Sequence, residues 1–213
     1  MKAFLKVMRG SLKNKVIPLP PAHHGHQNAT PAKMKEAAFQ IMENHIIHPE
    51  KSVFLDLFAG SGQMGMEAIS RGFLKTWFSE MESNRITDIR SWLIKHSVTE
   101  KGLVMHSNSF KKLLTFVSEP PELTPPASTL DLIIFADPPY LESAPLKPAF
   151  TLVDSLVKLS SVGWNSGLLM VQVPNSRRRE IPRADFERLS AHFTRVYGYG
   201  KNSLLVRELS PKI

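Results

Sequence analysis

The stretch that decides the fold is Val53-Phe54-Leu55-Asp56-Leu57-Phe58-Ala59-Gly60-Ser61-Gly62, read together with Asp137-Pro138-Pro139-Tyr140 further on. Val53 to Phe58 is short and mostly apolar, as expected of a strand covered on both faces. Gly60 and Gly62 free the backbone to turn tightly and approach a ligand, and a helix is expected from about Gln63. Strand, glycine turn and helix together form the nucleotide-binding geometry of open α/β sheets. The turn has neither the GxGxxG spacing of a dinucleotide fold nor a GxxxxGK[ST] phosphate loop, so it points to a nucleotide-like ligand without a pyrophosphate cradle.

Working outward, strand and helix signals alternate, which predicts a mostly parallel sheet. Strands are expected over 75–80, 102–107, 130–136 and 167–173, and a final antiparallel pair over 194–199 and 203–209. Helices are expected over 63–71, 83–97, 109–118, 149–159 and 183–193. A further helix is expected with Thr30 as its cap and Pro31 as its first residue, and an apolar stripe of Met34, Ala37, Ala38, Ile41 and Met42. Gly72 should stop the helix after the glycine turn. Glu80 ends the second strand, where a carboxylate can accept both hydroxyls of a ribose; Glu82 is a weaker choice.

The 213 residues suit one domain with a small appendage, and 42% apolar content is enough for a core. No apolar run is long enough to span a membrane, and Met1 to Arg9 has no signal-peptide core. The chain lacks cysteine, which excludes disulfides and thiolate metal sites and is compatible with the cytoplasm. A net charge of +8 favours a polyanionic partner. Residues 2–19 read as a short basic hairpin turning at Gly10-Ser11, with Lys6, Arg9 and Lys13 as nucleic-acid contacts or as a solvated, lysine-protected edge. His23, His24 and His26 stand in a proline-flanked loop without acidic partners, and no metal is expected.

Leu55 to Gly62, followed by Met64-Gly65-Met66-Glu67-Ala68-Ile69-Ser70-Arg71-Gly72, resembles the cofactor motif of class I S-adenosylmethionine-dependent methyltransferases. With Asp137 to Tyr140 the chain is most similar to the RsmD-type guanine-N2 methyltransferases of bacterial 16S ribosomal RNA. The resemblance covers most of the chain. It implies a Rossmann-like fold of seven mostly parallel strands with helices on both faces, plus an N-terminal hairpin (1–29) ahead of the methyltransferase domain (30–213). It implies S-adenosylmethionine as cofactor, ribosomal RNA or the assembling small subunit as partner, and a cytoplasmic monomer. Thr30, Asp56, Phe58, Gly60, Ser61, Gly62, Glu80, Asn108 and Ser109 become the cofactor set. Asn108 stands where the family usually has Asp, Gln172 where it tends to have Glu, and Asn28-Ala29 where it has Arg-Pro.

An exocyclic base amine is a poor nucleophile, because its lone pair is conjugated into the ring. Two acceptors aimed at its N–H groups free that lone pair and stabilise the charge that builds on nitrogen. The Asp137 carboxylate and Pro138 carbonyl suit that role, with Pro138 and Pro139 restricting the backbone. Tyr140 offers a face for a flipped base, a role that needs the ring and not the hydroxyl. Arg177, Arg178 and Arg179 follow the fifth strand, on the sheet edge expected to carry Asp137, and are read as phosphate contacts. The residues alone imply an amine; the guanine is implied by the resemblance. Adenine-N6 methylation of DNA or RNA, and a non-catalytic RNA-binding protein that keeps the fold, stay open as alternatives.

Overall fold

The computed structural model describes residues 5–19, 30–46, 48–106, 122–140, 144–157, 163–177 and 181–209. The chain divides into two compact units, Met1–Asn108 and Ser109–Ile213. The expected helix 109–118 and the histidines at 23, 24 and 26 lie outside the described residues.

The first unit opens with a two-stranded antiparallel ribbon, β1 (Leu5–Lys6) and β2 (Val16–Ile17). Then come α1 (Ala32–His45), β3 (Ser52–Asp56), α2 (Gln63–Ser70), β4 (Lys75–Glu80), α3 (Ser83–Lys95) and β5 (Gly102–His106). β3, β4 and β5 are parallel, with Asp56 opposite Phe78 and Glu80 opposite His106. All five residues of β3 are buried, as its continuous apolar run requires of a strand covered on both faces. α2 is buried on every side. The second unit holds β6 (Asp131–Ala136), α4 (Lys147–Val157), β7 (Ser166–Pro174), α5 (Arg183–Ser190), β8 (Arg195–Tyr199) and β9 (Asn202–Leu209). β6 and β7 are parallel, while β9 runs antiparallel to both β7 and β8. The strand order is β5-β4-β3 in the first unit and β6-β7-β9-β8 in the second, in all the seven strands, mostly parallel, expected of the fold class.

Two local readings change. Pro31, not Thr30, takes the cap position of α1, and no side chain caps that end. Thr30 is buried instead, and Pro31 in extended conformation still leads into a helix that begins at Ala32. α4 begins at Lys147, with Pro148 inside its first turn, where the missing N–H of proline costs nothing.

The N-terminal ribbon is more than a solvated edge. Val7 and Ile17 are buried in one cluster with Met66, Ile69, Phe78, Ile89 and Trp92, and Leu12 packs against it. The Trp92 indole donates to the Val16 carbonyl at 2.9 Å. Glu67, fully buried in α2, accepts from the Met8 and Arg9 backbone N–H groups at 2.7 and 2.9 Å and from Arg71 Nε at 3.0 Å. Lys35 Nζ lies 3.4 Å from the same carboxylate and donates to the Lys6 carbonyl. Burial lowers the pKa of the Lys35 ammonium, an effect that Glu67 opposes and Arg71 reinforces. Ser70 completes the dock: its hydroxyl donates to the Arg9 carbonyl and accepts from Leu12 N–H.

Candidate functional site

The glycine turn is built as its sequence requires. Gly60 (φ 54) and Gly62 (φ 74) are left-handed, a region that costs other L-residues energy. Gly62 N–H closes the turn onto the Ala59 carbonyl at 2.6 Å, and Ala59 N–H ties it to the Ser79 carbonyl at the end of β4. Asp56 is buried and accepts from Gly65 N–H at 3.1 Å, one of the orphan donors in the first turn of α2. A Cβ on Gly65 would come within 2.1 Å of the Phe78 ring, so glycine there lets α2 lie close against β4.

Glu80 completes this constellation. Its Oε2 accepts from Gly60 N–H at 2.7 Å, and its Oε1 from Met81 and Glu82 N–H at 2.8 and 2.9 Å. The acidic residue at the end of β4 therefore fastens the glycine turn directly. Ser61 Oγ and Gln63 Oε1 are buried beside it and find no hydrogen-bond partner among the described residues. Met81, the next residue, is 59% exposed, an apolar side chain at the strand end that composition alone does not single out. Of the cofactor set, hydrogen bonds join Asp56, the glycine turn and Glu80 into one framework. Phe58 is half-buried next to it and Thr30 is buried ahead of α1. Asn108 and Ser109 lie outside the described residues.

In the second unit, β6 ends at Ala136 and delivers Asp137 and Tyr140, both half-buried, with Pro138 buried between them. Asp137 is held through both oxygens. Tyr140 hydroxyl donates to Oδ1 at 3.1 Å and lies 3.3 Å from the Gln172 carbonyl. Gln172, buried near the end of β7, donates from Nε2 to Oδ2 at 3.0 Å. In the sequence Gln172 stands out only as a departure from the family. Its partnership with a residue 35 positions away has no local signal. The engaged Tyr140 hydroxyl likewise goes beyond the reading of that residue as a ring alone.

Among the basic residues, Lys6, Arg9, Lys13 and Arg177 are exposed; Arg178 and Arg179 lie outside the described residues. Arg9 Nη2 pairs with Glu36 at 2.9 Å, which offsets part of its charge. Arg177 sits in a turn closed by its own N–H onto Asn175 Oδ1. Buried Asn175 is fixed in turn by bonds from its amide to the Gly200 and Asn202 carbonyls. No group of three or more potential metal-ligating side chains gathers among the described residues, and no described helix is long and apolar enough to cross a membrane.

Residues 5–205 match the family model described as Conserved hypothetical protein 95. The chain belongs to that family. The resemblance carried by the two motifs is thereby borne out, and the family's named relatives agree with it. The chain is similar to "Ribosomal RNA small subunit methyltransferase D" of Buchnera aphidicola, with 29% identity over 179 residues, covering 83% of this chain and 80% of the relative. It is also similar to YlbH of Bacillus subtilis (strain 168), named as a candidate rRNA methyltransferase. There the identity is 29% over 153 residues, covering 72% and 73% of the two chains. Among solved structures, the Escherichia coli protein yhhF, described as a candidate methyltransferase, superposes with a TM-score of 0.64. It shares 18% identity and covers 99% of this chain and 100% of its own. That likeness establishes the fold.

Proposed function

We propose that this protein transfers a methyl group from S-adenosylmethionine to the exocyclic N2 amine of a guanine in small-subunit ribosomal RNA. The observation that carries the reading is the carboxylate of Asp137, held by Tyr140 and Gln172 at the end of β6. The names of the family's relatives support the RNA substrate.

The residues of the first unit fit an adenosyl cofactor. The left-handed glycines keep side chains away from the turn, and Glu80 keeps acceptor capacity beyond the three N–H groups it holds, since a carboxylate offers about four lone-pair sites. Glu80 would take a ribose hydroxyl with its remaining lone pair, and Gly60 to Gly62 would line the rest of the adenosyl group. When bound, the cofactor supplies a methyl already activated by its sulfonium, so orientation of the acceptor is what the protein must add.

Asp137 meets that need. It accepts one N–H of the target amine, and the Pro138 carbonyl accepts the other. Positive charge growing on the nitrogen is then stabilised by a carboxylate that needs no reorganisation. Tyr140 stacks on the extruded base while its hydroxyl holds Asp137. The proton leaves the methylated amine late, to water, so Asp137 serves as an acceptor and not as the final base.

The experiment pairs calorimetry with single-turnover methylation of small-subunit RNA. Asp137→Ala should bind S-adenosylmethionine like the wild type and lose about two to three orders of magnitude in rate. Asp137→Asn, which keeps an acceptor oxygen, should retain more. Near-normal rates in Asp137→Ala would contradict the assignment. An absence of cofactor binding in the wild type would favour the non-catalytic alternative.

A further inference from the structure

We propose that Gln172 is a specificity-determining residue: it orients Asp137 with its amide N–H and reads the target base with its amide oxygen. This deepens the function proposed above and rests on it.

Asp137 Oδ2 accepts from Gln172 Nε2 at 3.0 Å. A carboxylate and an amide oxygen are both acceptors, so the nitrogen must face Asp137 and the orientation of the amide is fixed. Gln172 Oε1 is thereby turned away from that bond. It is buried and has no hydrogen-bond partner among the described residues, in a residue only 3% exposed. A buried amide oxygen without a donor loses its hydrogen bonds to water with nothing in return, and native structures rarely keep one that serves no purpose. The orphan belongs to the same side chain that steadies the carboxylate, which suits it to accept from a group bound beside Asp137.

The bases differ at this point. Guanine presents its N2 amine next to N1–H, two neighbouring donors on one edge. Adenine presents its N6 amine next to a bare N1, a donor beside an acceptor. Asp137 and Gln172 Oε1 form a pair of acceptors, which matches the guanine edge and opposes an unprotonated N1. With adenine, the orphan would stay unpaired and face a second lone pair. Rejection of a base by an unpaired buried group is a strong form of discrimination. A glutamate at 172 would also accept from N1–H. It would hold Asp137 only while protonated, because two ionised carboxylates side by side repel and raise one of the two pKa values.

The test uses small-subunit RNA ligated to carry either guanine or 2-aminopurine at the position that the wild-type enzyme methylates. 2-Aminopurine keeps the C2 amine but has an unprotonated N1. The wild type should prefer guanine by about tenfold to a hundredfold in kcat/KM. In Gln172→Met, which has neither donor nor acceptor, both rates should fall as Asp137 loosens, and the preference should shrink toward the residue-independent remainder. That change in ratio isolates the Gln172–N1 contact. Gln172→Glu should keep the guanine preference and lose activity as pH rises through the pKa of the paired carboxyls, a limb the wild type lacks. Calorimetry with S-adenosylmethionine, unchanged in both variants, confirms that they are folded. An unchanged guanine preference in Gln172→Met, or a Gln172→Glu profile identical to that of the wild type, would overturn this proposal while leaving the methyltransferase reading intact. A wild-type enzyme that methylates no guanine would overturn both.

Discussion

Glu80 is proposed to do two jobs with one carboxylate. Three backbone N–H groups hold it against the glycine turn, and its remaining lone pair is the one proposed to meet the ribose. Glu80→Ala should therefore weaken S-adenosylmethionine binding by about 1–3 kcal/mol, because a ribose hydroxyl goes unpaired and the Gly60 N–H is set free. Unchanged affinity by calorimetry would remove Glu80 from the cofactor site. Tyr140 is a similar case. The sequence suggests a stacking ring, and the hydroxyl bonded to Asp137 adds a second role. Tyr140→Phe should thus cost more than a ring-only role predicts, though less than Tyr140→Ala, which loses the platform altogether. What is legible at this scale is the acidic residue that ends β4 and the tetrapeptide after β6, because chain position and residue type identify both. The partnership of Gln172 and the anchoring of Asp56 to Gly65 are not legible, since each depends on a neighbour that only the fold brings near.

At the scale of elements, α2 is the piece on which the first unit converges. Its N-terminus follows the glycine turn, and its buried Glu67 gathers Lys35, Arg71 and the backbone of Met8 and Arg9. A carboxylate with no exposure must have its charge matched, and it is matched here by two cations and two peptide dipoles. Removing one partner of such a group leaves the others buried without compensation. Glu67→Ala should accordingly destabilise the protein by about 3–5 kcal/mol and speed amide exchange at Met8 and Arg9. A loss under about 1 kcal/mol in denaturant unfolding, with exchange unchanged, would contradict this account of the dock. The strands, the glycine turn and the order of helices can be read from periodicity and punctuation. The docking of the ribbon cannot. Its apolar side chains, Leu5, Val7, Leu12 and Ile17 among them, are scattered among lysines, and its other anchors are backbone groups that every residue possesses. Glu67 itself looks like an ordinary charged residue in a helix until all sides of that helix are seen to be buried.

For the whole molecule, the excess of 27 basic over 19 acidic residues predicts RNA binding that weakens steeply with salt. Neutralising Lys6, Arg9, Lys13 and Arg177 together should reduce the slope of log affinity against log salt by about 0.7 to 0.9 for each phosphate these side chains would have neutralised. Arg9, already paired with Glu36, should contribute least, and cofactor affinity should stay the same. An unchanged slope would mean that these side chains are only a solvated face. The central claim remains the chemistry. Its most direct test is to incubate the protein with isotopically labelled S-adenosylmethionine and small-subunit ribosomal RNA from a strain lacking the enzyme, then resolve the nucleosides by mass spectrometry. The account predicts label in N2-methylguanosine, at one position, with the wild type and almost none with Asp137→Ala. Label in N6-methyladenosine, or RNA that stays unlabelled while the protein binds it, would contradict it.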